Sequence, residues 1–323
     1  MTTRIALVTA REALALDEDM PPLRAALAAL GAEVTTPEWD DPAVDWSRFD
    51  VAVLRSPWDY MDRLAEFLAW TERCGAATRL FNPPALVRWN TDKHYLLDLD
   101  RAGVPVVPTR FAEVGEAAGE VVDSFLAGGP AALSAGEACA FDEFVVKPAV
   151  GVGSRDAARF PRRDPARAVA HLGRLLEAGR SALLQPYLAR VDEAGETALM
   201  HFDGRFSHAI RKAALLRPEG TLVAGLFAPE KISARVPAPD ELGVASAACA
   251  AVAGRQPLYT RVDLIRDVAG RPVVLELEMT EPSLFFPFAP GSADEFARAI
   301  LWRGQTPLAG TVPAGDCPLP SGV

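Results

Sequence analysis

The chain has 323 residues, half of them hydrophobic, and a formal net charge of −10. That length suggests two or three compact units, and the apolar content marks a globular chain rather than a disordered one. The acidic balance without a basic stripe excludes an electrostatic nucleic-acid binder, Arg162–Arg163 being too short to count, and no apolar run reaches the roughly 18–20 residues of a membrane span.

Residues 4–10 (RIALVTA) read as a first strand rather than a signal peptide, because charge follows the short apolar segment at once. Residues 20–31 read as a helix stopped at Gly31, 32–39 as a second strand and 50–56 (DVAVLRS) as a third. Strands alternating with helices make a parallel α/β unit, and ligands sit beyond the carboxyl ends of such strands. That rule singles out 55–60 (RSPWDY), where Arg55 is placed to meet a carboxylate and Asp59 and Tyr60 to orient a substrate; a turn with aromatic packing is the alternative. A further short strand ends at 80–84, and a helix opens at Asn90 or Thr91 and closes at Gly103. Lys93 falls in its first turn, against the helix dipole, which is better tolerated if the lysine meets an anion.

Residues 110–140 read as helix with loop. At 144–156 (FVVKPAVGVGSRD) an apolar strand carrying Lys147 runs into a loop with Gly151, Gly153 and Ser154. Small residues let backbone N–H groups approach phosphate oxygens; the loop fits neither the Walker pattern nor the full dinucleotide fingerprint, and a tight turn is the alternative. An amphipathic helix follows over 163–179, then 182–212 reads as strand, linker and two antiparallel strands turned at Asp203–Gly204. The end, 304–323, reads as a loose tail.

The stretch 259–279 carries the sharpest signal. Two strands, 259–267 (YTRVDLIRD) and 272–279, flank the hairpin signal DVAGRP, and side chains at i and i+2 put Glu276 and Glu278 on one face. A turn centred on Ala269 and Gly270 sets Asp263 opposite Glu276. Opposed carboxylates destabilise a sheet unless something neutralises them, and a hard divalent cation such as magnesium takes carboxylate oxygens. A solvated acidic face is the alternative. Four scattered cysteines and four scattered histidines show neither zinc spacing nor a disulfide framework, and a reducing cytoplasm fits that usage.

Lys93, Lys147 in VVKP with its glycine loop, LLQPYL, AIRK, YTRVD and LELEMTEPS follow one another in an order that resembles the ATP-grasp superfamily of ligases, over roughly residues 90–303. The resemblance implies an α/β chain, α+β in its catalytic part, with an N-terminal parallel α/β (pre-ATP-grasp) domain at 1–90, a small lid subdomain with the phosphate loop at 91–184 and a magnesium-bearing subdomain at 185–303. It implies that Lys93, Lys147, Gly151, Gly153 and Ser154 contact ATP phosphates, that Gln185, Tyr187 and Leu188 form the adenine hinge, and that Glu193 or Glu196 takes the ribose hydroxyls. Arg211 and Arg261 resemble the arginines that hold phosphate and the acyl intermediate, with Lys147 beside them in catalysis. Asp263, Glu276 and Glu278 would hold Mg2+, with Mn2+ as an alternative; Glu278 departs from the commoner E-x-N pattern, and Glu281 is an extra support.

RSPWDY, NPPALVRWNTDKHYLLDL and LELEMTEPSLF are most similar to the branch that contains the O-ureido-D-serine cyclo-ligase, which forms cycloserine in antibiotic biosynthesis. The implied activity is ATP-dependent carboxylate–amine ligation of a small-molecule carboxylate through an acyl phosphate, closing a ring within one molecule. An intermolecular amino acid or peptide ligase of the glutathione-synthetase type shares every ATP-site residue, and a non-catalytic ATP-binding module is a further alternative. An exposed N-terminal unit leaves homo-oligomerisation open.

Overall fold

The computed structural model describes residues 2–128, 141–216 and 231–305. The N-terminal unit alternates strand and helix: β1 (Arg4–Thr9), α1 (Met20–Ala29), β2 (Glu33–Thr35), β3 (Val51–Ser56), α2 (Leu64–Ala77) and β4 (Arg79–Phe81). The four strands form a parallel sheet in the order β2-β1-β3-β4. All six residues of β3 are buried, as befits a strand covered on both faces. The second strand is shorter than its sequence suggests, because Pro37 has no N–H to donate; beyond Thr35 only an isolated bridge, Thr9 to Glu38, continues the pairing.

The helix expected from Asn90 to Gly103 is two short helices, α3 (Pro84–Asn90) and α4 (Tyr95–Arg101), and Lys93 lies in the turn between them instead of in a first helical turn. Asn90 sits at the break, where its amide donates to the Leu277 carbonyl (2.6 Å) and accepts from the Met279 N–H (2.7 Å), tying the helix end to a distant strand. Gly103 closes α4 at φ +79° as expected.

The second sheet joins β5 (Arg110–Ala112), β6 (Glu143–Pro148), β7 (Ala158–Pro161) and β8 (Ala182–Pro186), all antiparallel, in the order β5-β8-β6-β7. The helices α5 (Ala118–Gly128) and α6 (Ala166–Glu177) bury Val122, Phe125, Leu172 and Leu176 against Phe144, Val146 and Leu184. The third sheet has five antiparallel strands in the order β11-β10-β9-β12-β13, from β9 (Glu196–Phe202), β10 (Arg205–Lys212), β11 (Ile232–Arg235), β12 (Tyr259–Arg266) and β13 (Pro272–Glu278). A short helix, α7 (Val191–Ala194), leads into β9, and α8 (Pro239–Val252) covers the outer face. Asp203 and Gly204 both take positive φ (49° and 75°) in the β9–β10 turn. The last helix, α9 (Ser292–Gln305), returns to the N-terminal unit, its Phe296 and Ile300 packing with Leu27 and Val51.

The α/β class with one parallel sheet and two antiparallel ones follows. The sequence reading sets a boundary at 185, inside β8. The expected tail beyond 305, Cys139 and Cys317, and the segment 129–140 lie outside the described residues. Cys74 and Cys249 are free thiols. Among the described residues, no helix is long and apolar enough to cross a membrane.

Candidate active site

A cleft of about 500 Å³ lies between the two antiparallel sheets and the loops of the N-terminal unit. Sheet alternation assembles its floor. Lys212 on β10 pairs with Glu196 on β9, Ala198 two residues on pairs with Asp263 on β12, and Asp263 pairs with Glu276 on β13. Arg261, two residues before Asp263, pairs with Glu278. Directly paired and i+2 residues share a face, so these six charged side chains share one surface. The hairpin reaches the expected Asp263–Glu276 pairing by a different route: Arg266 pairs with Pro272, centring the turn on Ala269 alone, and a bulge with Leu275 as the extra residue restores the register.

The neutralising charges are cations of the protein itself. Arg261 makes a two-pronged contact with Asp263, both nitrogens at 2.8 Å, and also donates to Glu278 and to the Ser283 carbonyl (3.1 Å). Lys212 pairs with Asp263 at 2.9 Å and with Glu196. Lys147 reaches down from β6 in the opposite sheet to Glu276 at 2.7 Å. Burial works against ionised carboxyls here, but Arg261 and Lys212 outweigh it and hold Asp263 well below the usual carboxylate range. Lys147 and Lys93 likewise hold Glu276 down to about 2. Glu278 is different, since burial and the neighbouring Asp263 and Glu276 outweigh Arg261 and push it up to about 7. Burial pushes Glu196 up to about 8 despite Lys212.

The roof comes from β6, β8 and the loop after β6. Lys147, Gln185, Tyr187 and Leu188 all line the cleft, as do Gly151, Gly153 and Ser154. Gly153 and Ser154 both have positive φ (63° and 60°), which tightens the loop, and the Gly151 carbonyl accepts from Lys93 Nζ at 3.2 Å. Gln185 is held by Thr109 Oγ1 (2.9 Å), and the guanidinium of Arg159 stacks on the Tyr187 ring at 3.5 Å.

The structure therefore brings together Lys93, Lys147, the glycine loop, Gln185, Tyr187, Leu188, Glu196, Arg261, Asp263, Glu276, Glu278 and Tyr60. It leaves Arg211, Glu193, Arg55 and Asp59 outside the cleft lining. Arg211 follows the opposite alternation to Lys212 and donates to the Ala194 and Glu193 carbonyls (both 2.7 Å), so it braces the α7 turn. Arg55 is fully buried, 3.8 Å from Asp19, and donates to the Pro282 carbonyl (3.1 Å). Asp59 accepts from Trp39 Nε1 at 2.8 Å. The residue that sequence reasoning missed is Lys212; the signal was available in period two, since Lys212 directly faces Glu196 across the β9–β10 hairpin.

Asp263, Glu276 and Glu278 are hard oxygen donors on neighbouring strands and match a magnesium-type cation in chemistry. Among the described residues no three such side chains converge as a finished metal site; each of these carboxylates is turned to a lysine or arginine.

Residues 5–82 match the family described as the N-terminal domain of the D-cycloserine synthetase DcsG. The chain is 44% identical over 304 residues to the cycloserine biosynthesis protein DcsG of Streptomyces lavendulae, covering 93% of this chain and 98% of that protein. Its structure is similar to the crystal structure of D-cycloserine synthetase DcsG with a TM-score of 0.85 at 44% identity, covering 94% of this chain and all of that one. It shares its fold with the ATP-grasp ligase PsnB, solved with a phosphomimetic variant of its minimal precursor, Mg and ADP, at a TM-score of 0.59 and 18% identity, over 94% of this chain and 99% of that one.

Proposed function

The chain belongs to the D-cycloserine synthetase family of ATP-grasp ligases, and from that membership we propose that it closes O-ureido-D-serine to D-cycloserine with ATP. The substrate carboxylate attacks the γ-phosphate, giving an acyl phosphate and ADP. The oxygen-bound ureido nitrogen of the same molecule then attacks the acyl carbon, forming the ring amide as the acyl–oxygen bond breaks and phosphate leaves, and the bond from that nitrogen to the carbamoyl carbon breaks to release the carbamoyl group as isocyanic acid. Ring closure within one bound molecule needs no second substrate and gains from a high effective molarity.

The observation that carries this reading is the charged floor under a glycine loop, with Lys147 spanning the gap between the two sheets. Phosphoryl transfer asks a protein chiefly for positioning and for charge to balance the phosphate oxygens. Lys147, Lys93, Lys212 and Arg261 supply four cations around the cleft, and the backbone at Gly151, Gly153 and Ser154 supplies close approach. Gln185, Tyr187 and Leu188 flank the adenine, and Glu196 rather than Glu193 meets the ribose because only Glu196 lines the cleft. Asp263, Glu276 and Glu278 would hold Mg2+ bound with the nucleotide, and the ion would supply charge to neutralise phosphate oxygens. With the ion bound, Lys147 and Lys212, now paired to Glu276 and Asp263, would be free to turn toward phosphate.

Lys147→Ala tests the phosphate role. The expected result is a fall of about 100-fold or more in substrate-dependent ADP formation, the usual scale for losing one electrostatic contact in a transition state. Near-normal turnover in that variant removes Lys147 from the mechanism.

A further inference from the structure

Beyond the nucleotide-side charges, the loop that follows β13 forms one wall of the cleft and is held from several sides. Asp19 accepts from the backbone N–H groups of Leu284 (2.6 Å), Phe285 (3.1 Å) and Phe286 (2.8 Å). Arg55 holds the Pro282 carbonyl, Tyr259 holds that of Thr280 (2.9 Å), and Trp58 Nε1 holds that of Glu281 (3.0 Å). Glu281 is thus presented on a fixed support. Its Oε1 accepts from the Tyr60 hydroxyl at 2.9 Å, and the Tyr60 ring is itself stacked on Phe67 at 4.8 Å. Its Oε2 is buried and has no hydrogen-bond partner among the described residues.

The other carboxylates lining the cleft are committed. Asp19 serves the loop and Arg55, Glu196 and Asp263 face Lys212, Glu276 faces Lys147, Glu278 faces Arg261, and Glu18 is exposed at the rim. Among the described residues Glu281 is the half-buried cleft carboxylate with no ion pair, and its enclosed Oε2, left without a partner, is costly unless a ligand completes it. It lies three residues beyond Glu278 and lines the same cleft.

We infer that Glu281, with the Tyr60 hydroxyl, is the docking group for the substrate's α-ammonium. This rests on the reading above, in which the substrate is an α-amino acid whose carboxylate is activated. The ammonium is attached to the carbon next to that carboxylate, so fixing it orients the carboxylate toward the phosphate cations. Its three N–H donors meet Glu281 Oε2 and the Tyr60 oxygen, which donates its own proton to Oε1 and retains lone pairs to accept. The role is recognition and positioning, and no proton or bond changes hands at Glu281.

The test pairs calorimetric binding with steady-state ADP release, using O-ureido-D-serine and its des-amino analogue 3-(ureidooxy)propanoate. Wild type should bind the amino compound about 100-fold more tightly, the scale for truncating one partner of a desolvated charge pair. Glu281→Gln should raise KM for O-ureido-D-serine by a similar factor while kcat changes only a few-fold, and should nearly abolish discrimination against the analogue. Glu281→Asp should recover part of that discrimination, and ADP binding by each variant reports that it is folded. Wild type that binds both compounds equally overturns the inference without any variant. Glu281→Gln with unchanged KM and discrimination overturns it while leaving the ligase reading intact. Tight, Glu281-dependent binding of O-ureido-D-serine without turnover overturns the ligase reading and leaves the ammonium site standing.

Discussion

Arg55→Met separates a structural role from a substrate-binding one at a position where sequence suggested the latter. Arg55 is fully buried, its Nη2 lies 3.8 Å from Asp19 Oδ2, and its Nε and Nη1 are buried without hydrogen-bond partners among the described residues. Removing one member of a buried pair costs about 3–5 kcal/mol. Relief of the two unsatisfied nitrogens returns on the order of 1–2 kcal/mol, leaving a net loss of about 2–3 kcal/mol. For a chain of this size that lowers the thermal midpoint by about 3–4 °C. Burial already raises the Asp19 carboxyl against the pull of Arg55, so without Arg55 it rises further. A carboxyl raised in the folded state loses stability as pH rises above its unfolded value, and the deficit of the variant should therefore grow from pH 5 to pH 8. The same substitution should cost at least about 1 kcal/mol less in an Asp19→Asn background, where the buried charge is gone. Thermal melts of the four proteins across pH measure all three quantities. An unchanged melt together with a 100-fold rise in KM for substrate would refute the reasoning and put the guanidinium on the substrate.

Other expectations follow from the same geometry. Glu196→Gln should weaken ATP binding about 10-fold and Glu193→Gln less than about 2-fold, since losing the acceptor at the ribose is worth about 1.5 kcal/mol and Glu193 does not line the cleft; equal effects measured by calorimetry contradict the assignment. Burial pushes the His201 imidazole down to about 4, so the folded chain resists protonation where the unfolded chain accepts it. Stability is then full above pH 6.5 and declines as pH falls toward 4, by about 2 kcal/mol at pH 5 from this residue alone. His171 and His208 are shifted in the same direction, so the share of His201 is read from His201→Leu, which should flatten the denaturation midpoint between pH 7 and pH 5 relative to wild type.

The parts of the fold written in local pattern were legible. Period-two alternation put Glu276 and Glu278 on one face and Asp263 opposite Glu276, and the glycine loop after the Lys147 strand lies over them. The bulge at Leu275 was not legible, because an extra residue in a strand leaves no mark in composition. Arg211 and Lys212 are adjacent in sequence, and a choice between them needs the face of β10, which its partner Glu196 fixes. Arg55 ends a strand where ligands gather in parallel sheets, but a long-range partner, Asp19, claims it. Asn90 and Thr91 are helix-capping residue types, which sets Lys93 in a first helical turn; Asn90 instead ends α3 and binds a carbonyl 187 residues away. Non-local hydrogen bonds of this kind are invisible to any reading of neighbours along the chain.

The most direct measurement of the central claim is substrate-dependent ADP release with ATP and magnesium, followed by identification of the product. O-ureido-D-serine offered alone should release ADP and yield D-cycloserine in equal amounts, with no stimulation by added amines or amino acids. ADP release only when a separate acid and amine are offered together would contradict intramolecular closure, and none with any of these compounds would contradict the proposed ligase activity itself.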